Sequence, residues 1–160
     1  MTTTDPHDDL LVLPGNWNFD YTYFAGRTAS TFFAELRDHQ RIVGRRCPSC
    51  RKLFVPARSY CDACYLETSP EWEEVGSTGT IEAFTILSTQ FPGLPEPPLA
   101  IAFVTLDGAD SAILNFVEGV DLSNEAAAGE FFFANDRVKV VFSDERAGRI
   151  TDFHFESVTE

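Results

Sequence analysis

Familiar catalytic motifs are missing from this sequence. It has no G-x-S-x-G nucleophile elbow, no phosphate-binding P-loop, no G-x-G-x-x-G and no H-E-x-x-H. Its histidines, His7, His39 and His154, are scattered, with no serine, cysteine or carboxylate partner at motif spacing. No apolar run approaches the ~18–20 residues that cross a bilayer, which excludes a membrane-spanning helix. The start, MTTTDPHDDL, lacks the basic head and apolar centre of a secretory signal, so the expected location is the cytoplasm. Lysine and arginine are absent from Tyr65 to Asp136, a span that holds thirteen acids. The net charge of −13 repels phosphate backbones and anionic membranes, which argues against nucleic acid and membrane as partners. Cysteine is absent outside Cys47–Cys64.

That one stretch, CPSCRKLFVPARSYCDAC, holds two CxxC pairs, Cys47/Cys50 and Cys61/Cys64. Each pair turns two sulfurs toward one point, and two such turns on a short hairpin build an S₄ cage suited to Zn²⁺. A disulfide pair would need an oxidising compartment, and free thiols are a further reading. Iron fits the same geometry, so zinc is expected with iron as the alternative. Four protein ligands leave no open position for substrate, which makes the site structural.

Charge is unevenly placed around the cage. Arg27, Arg37, Arg41, Arg45, Arg46, Arg51, Lys52 and Arg58 share a segment with only Glu35 and Asp38, for a local charge of +6. One reading is that an anionic thiolate cage draws cations to it. The other is an anion-binding or docking patch.

Along the chain, residues 1–27 read as an arm that ends in an aromatic segment. Trp17, Phe19, Tyr21, Tyr23 and Phe24 either pack on the domain or offer an interface to another protein. Residues 28–69 read as a helix plus zinc ribbon. The helix is expected over Thr28–Gln40, with Ala29, Phe32, Phe33 and Leu36 on one face and Thr28 as its cap. His39 lies near its end as a surface residue. RIVGRR and KLFVPAR read as ribbon strands, the second ended by Pro56. Residues 70–160 read as a barrel. Strands are expected at Gly79–Leu87, Leu99–Leu106 (buried on both faces), Ser111–Val117, Arg137–Phe142 and Ile150–Phe155. The last would turn Ile150 and either Phe153 or Phe155 to the core, with His154 on the outer side. A short helix capped by Ser123 is expected at Asp121–Glu130. Five strands with a helix between the third and fourth is the order of an OB-fold barrel. The expected class is therefore mainly β: an N-terminal helical segment and rubredoxin-like zinc ribbon, then a five-stranded OB-fold.

The ordered combination YFAGRTASTFFAELRDHQRIVGRRC, CPSC…VPAR…CDAC, EWEEVGSTGTIEAFTIL and RITDFHF resembles the zinc-ribbon/OB-fold family of acyl-CoA-associated accessory proteins, long catalogued as a domain of unknown function. The likeness runs from about Trp17 and looks most like members that pair with thiolases or lipid-transfer-type thiolases. It implies a non-catalytic subunit of a thiolase-fold or aldolase complex acting on acyl-CoA thioesters. Such a subunit would stabilise its partner and help form or gate the CoA/acyl channel, in a hetero-oligomer such as α₂β₂. It also implies that Cys47, Cys50, Cys61 and Cys64 are ligands. Arg45, Arg46, Arg51, Lys52 and Arg58, with Trp17, Tyr21, Tyr23 and Phe24, become candidates for contact with CoA or with the partner. Two features depart from the family. Arg51 and Tyr65 stand where many relatives have glycine after the second cysteine of a knuckle, a position of φ > 0. Pro56-Ala57-Arg58 stands where relatives often read P-P-R. The alternative function is an independent OB-type binder of nucleic acid or small ligands.

Overall fold

The computed structural model describes residues 21–158. Trp17 and most of the expected arm lie outside the described residues. Helix α1 (Gly26–Ala34) starts earlier than the sequence suggests and runs into a wide π-type turn at Glu35–His39. Gln40, at φ 52°, ends it in the left-handed region. Phe32 and Leu36 are buried, while Ala29 and Phe33 are half-buried, so the expected apolar face holds. Thr28 is not the cap. It lies inside the first turn, buried, with its hydroxyl on other groups.

Strand β1 (Val43–Arg46) is the centre of a small sheet, between β2 (Leu53–Phe54) and β3 (Glu73–Glu74). Gly44 is required here: a Cβ on it would meet Phe54 O at 2.7 Å and Val55 Cγ2 at 2.9 Å. The third strand carries no apolar signal. It is two glutamates, held by pairing to β1 and by Arg46.

The rest closes into a barrel. Strands β4 (Thr78–Leu87), β5 (Leu99–Leu106), β6 (Ala112–Glu118), β7 (Arg137–Phe142) and β8 (Phe153–Ser157) are ordered β4-β5-β6-β8-β7 around the wall. All neighbours are antiparallel except β6 and β8. This is the five-stranded OB arrangement the sequence suggests. Three details differ from expectation. β5 is buried on one face only: Ala100, Ala102, Val104 and Leu106 point inward, and Phe103 points out. Helix α2 (Glu125–Ala134) is capped by Asn124, whose Oδ1 accepts from Ala127 N at 3.1 Å; Ser123 instead donates its N–H to Asp121. Ile150–Asp152 is a 3₁₀ turn, and both Phe153 and Phe155 fill the core. The turn forms because the buried Asp152 carboxylate takes the N–H groups of Ala147 and Gly148 at 3.0 and 2.7 Å. Asn115, also buried, donates to Ile150 O and Phe153 O and ties the turn to β6. His154 faces outward, near Glu118 and Glu156.

Helix, ribbon and barrel share one core. Phe32, Leu36, Val43 and Val55 pack with Val104, Ile113, Val138 and Phe155. The Asp107–Asp110 turn also clasps the ribbon: Asp110 N donates to Leu53 O at 2.9 Å, and Leu53 N to Asp110 Oδ2 at 2.8 Å. Next to it, Val55 N donates to Ser111 Oγ at 2.8 Å and Ser111 Oγ to Val55 O at 2.9 Å. No helix among the described residues is long and apolar enough to cross a membrane.

Candidate metal centre

Strand β1 runs directly into Cys47, and the chain turns back through Cys50 into β2. The first knuckle closes with Arg51 N on Cys47 O at 3.1 Å and Cys47 N on Lys52 O at 2.9 Å. The second repeats the pattern: Tyr65 N on Cys61 O at 3.0 Å and Cys61 N on Leu66 O at 2.9 Å. Arg51 and Tyr65 therefore occupy equivalent places, and both adopt the left-handed conformation, φ 66° and 57°. The turn keeps its geometry without glycine, against a steric cost of about 1–2 kcal/mol at each position.

All four sulfurs lie within 4.8 Å of one another, and Cys50 Sγ is 3.7 Å from Cys61 Sγ. A tetrahedron with metal–sulfur bonds of ~2.3 Å has edges of about 3.8 Å. The donor set thus fits a four-coordinate thiolate site, and all four cysteines are free of disulfides. Cys47 and Cys61 are buried over Phe54. Cys64 N points at Cys61 Sγ at 3.4 Å, a backbone donor to a prospective thiolate. Burial works to raise the Cys47 thiol, but the backbone N–H groups of Cys50 and Ser49 and the neighbouring thiols outweigh it and bring it down to about 6. The Lys52 N–H works to lower Cys50, yet burial and three adjacent sulfurs push it up to about 11. Four sulfurs crowded together cannot all ionise unaided; a central cation removes that conflict.

The basic island divides sharply. Arg45 points inward and is buried. Its Nε donates to Ser69 O at 2.6 Å, Nη1 to Thr28 Oγ1 at 3.1 Å and Nη2 to Thr68 O at 2.8 Å, with Trp72 5.9 Å away beside the guanidinium. Arg46 forms a two-point pair with Glu73, both bonds 2.7 Å, and reaches Arg51 O at 2.5 Å. The hydrogen bond from Arg46 holds the Glu73 carboxyl below its usual range. Arg58 pairs with Asp62 at 2.8 Å and lies over Phe54 at 5.2 Å. Arg51 and Lys52 are exposed at the first knuckle, and their side chains form no hydrogen bond or ion pair among the described residues. Tyr21, Tyr23 and Phe24 are exposed, with the two tyrosine rings 5.9 Å apart. The clasp residues Asp110 and Ser111 gave no local signal, since their partners lie 57 and 56 positions away. Tyr65 and Leu66 did carry one: two large apolar residues directly after a CxxC at a knuckle tip.

Residues 34–71 match the ChsH2 rubredoxin-like zinc ribbon domain. That stretch is similar to a ChsH2-type zinc ribbon. The family resemblance drawn from the sequence is thereby borne out. Solved structures extend the likeness beyond the ribbon at the level of fold. A DUF35-family protein of unknown function from Sulfolobus solfataricus superposes with a TM-score of 0.58 at 21% identity, over 83% of this chain and 87% of that one. The Ltp2–ChsH2(DUF35) aldolase superposes with a TM-score of 0.54 at 17% identity, over 84% of this chain and 97% of that one. No curated protein matches the chain. The matched stretch spans the π-type turn, both knuckles and Arg45 with its acceptors Thr68 and Ser69, while Thr28 and Trp72 of the same pocket lie just outside it.

Proposed function

We propose that this chain is the non-catalytic, zinc-bearing accessory subunit of a thiolase-type or lipid-transfer-type aldolase complex that acts on acyl-CoA thioesters. One observation carries the reading: a ribbon similar to the ChsH2 type, with four cysteine sulfurs gathered into one cage, joined to an OB barrel in a fold like that of the Ltp2–ChsH2(DUF35) aldolase. Zinc held by Cys47, Cys50, Cys61 and Cys64 acts as a cross-link. It joins two turns that have little core of their own, and its binding energy is folding energy. With four protein ligands it offers no position to a substrate. The chain's contribution is then to brace the catalytic subunit and to wall the CoA channel at the boundary. Of the five cations named for contact with CoA, Arg51 and Lys52 are free to face its phosphates there; Arg45, Arg46 and Arg58 are engaged within the chain.

The test is co-expression of the full chain with a thiolase-fold subunit encoded in the same cell, assayed on CoA thioesters. The expected result is no turnover by the chain alone, a stable complex of the two, and activity that depends on both. Turnover of a CoA thioester by the purified chain alone, or full activity of the partner without it, would refute the reading. Tight, salt-sensitive shift of an oligonucleotide by the purified chain would favour an independent OB-type binder instead.

A further inference from the structure

Phe103, Leu114 and Phe133 are large apolar side chains exposed to solvent, and the fold joins them in one band. Phe103 on β5 is 48% exposed and Leu114 on β6 is 46% exposed, and the two are direct cross-strand partners. Phe103 also pairs with Ala83 on β4, which lines a cleft between β4 and α2. Phe133, 83% exposed, stands in the wall of that cleft with its ring 5.2 Å from Phe84, and Phe84 lies 4.9 Å from Phe132. Two carboxylates complete the lining, Glu82 and Asp136. Glu82 is the extra residue of a bulge, since the β4–β5 register shifts between Ile81 and Ala83. Bulges of this kind re-aim a side chain. The side chains of Glu82 and Asp136 are exposed and form no hydrogen bond or ion pair among the described residues. Arg137, next to Asp136, turns to Asp107 and Thr80 instead. The outer rows of β7 and β8 are different in kind: Arg137 pairs with Asp107 and Lys139 with Glu156, so their charges are spent within the chain. Single exposed apolar residues are ordinary, whereas a continuous apolar band marks an interaction site.

Charge selects the occupant. Every residue of the band and the cleft lies between Tyr65 and Asp136, the span with thirteen acids and no lysine or arginine. Aromatic rings attract cations over their faces, and carboxylates beside them strengthen that field. Three phenylalanines and two unpaired carboxylates are therefore complementary to a cation that also stacks, which a guanidinium does better than an ammonium. At about 450 Å³ the cleft is at the small end for a ligand site, and its Ala83 wall adjoins an apolar band that a small cation would leave bare. An arginine carried by a protein covers both. Two copies of this chain meeting face to face here would set carboxylates against carboxylates. We propose that the cleft receives an arginine of the catalytic subunit, whose neighbouring apolar residues cover Phe103 and Leu114. This rests on the accessory-subunit reading above and names the face that reading would use.

The experiment uses the full chain and the thiolase-fold subunit that co-purifies with it, with dissociation constants measured by titration calorimetry at about 50 mM and about 500 mM salt. The double variant Glu82→Gln with Asp136→Asn weakens binding about 10-fold at the lower salt and less than about threefold at the higher, because salt screens the charge pairs. Phe133→Ser weakens it about 10-fold at both. Glu145→Gln, an exposed acid in the loop after β7, changes it less than about twofold at either. One bound zinc and an unchanged circular dichroism spectrum show that the variants fold. If the double variant binds as wild type while Phe133→Ser does not, the occupant is apolar and the proposal is overturned. If neither weakens binding, the docking face is wrong while the accessory reading stands. If no thiolase-fold subunit co-purifies with wild type, the accessory reading fails and takes this proposal with it. If the chain alone is a dimer that Phe133→Ser turns into monomer, the occupant is a second copy and the proposal is overturned.

Discussion

Replacing Arg45 with alanine separates two readings of the basic island. The sequence places Arg45 among candidates for CoA contact; the structure buries it and spends its three nitrogens on Ser69 O, Thr28 Oγ1 and Thr68 O. Truncation leaves a hydroxyl and two carbonyl groups without their donor, and the rest of Thr68 is buried too deeply for water to replace it freely. A buried group left unsatisfied costs about 1–3 kcal/mol, and here the lost bonds are charge-assisted. Allowing for partial rehydration at Ser69, the expected loss is about 3–5 kcal/mol. With a urea m-value of about 2 kcal/mol/M, the unfolding midpoint falls by about 1.5–2.5 M. Arg45→Lys restores one point donor rather than a planar fork and recovers less than half of the loss. The assay is urea unfolding of the zinc-loaded chain by fluorescence, with bound zinc measured in parallel. A loss under about 1 kcal/mol for Arg45→Ala, or a lysine variant equal to wild type, would refute the argument that this guanidinium holds α1, the second knuckle and the Ser69 turn together.

Cys61→Ser, or removal of zinc by a strong chelator, collapses the ribbon: near-stoichiometric zinc is lost, and circular dichroism and partner binding change with it; a metal-free chain that keeps its fold and its partner would refute the cross-link reading. Arg51→Ala with Lys52→Ala leaves the urea midpoint within about 0.5 kcal/mol of wild type but raises the KM for the CoA ester in the assembled enzyme; unchanged kinetics would remove these residues from the channel. Asp107 accepts from Arg137 and Thr78, and these hydrogen bonds hold its carboxyl down at about 2, against an ordinary 3.8. Because the folded value is the lower one, its stabilisation is complete above about pH 4 and is lost as pH falls toward about 2. Asp107→Asn removes that part of the acid dependence, which urea midpoints measured across this pH range detect.

The sequence made the four-cysteine cluster legible because its determinants are local. Two CxxC spacings specify two turns, and φ > 0 at Arg51 and Tyr65 follows from the turn itself. Barrel strands were legible where alternation is clean, as in β4 and β7. Other features depend on partners far along the chain. Thr28 has the chemistry of a cap, but Ser59 and Arg45 claim its hydroxyl from 31 and 17 residues away. Ser123 and Asn124 are both good caps, and only the packing of Ala128 and Phe132 into the wall selects the second. Ile150 has strand propensity, yet the Asp152 carboxylate turns that segment into a 3₁₀ loop. Burial of Arg45 was hidden for the same reason: its acceptors are backbone carbonyls, which composition does not distinguish.

The parallel pairing of β6 with β8 sets an order for making this protein. Strand β8 fits between β6 and β7, so the wall stays open until the last of its five strands is available. During synthesis, β6 and β7 emerge first with hydrogen-bonding edges unfilled, and Phe153 and Phe155 are still missing from the interior. Until then the ribbon has no finished surface beneath Phe32 and Val55, even with its metal in place. Unpaired edges of this kind recruit strands from other chains. Soluble yield should therefore depend on how quickly these few late residues, Phe153–Ser157, reach the gap.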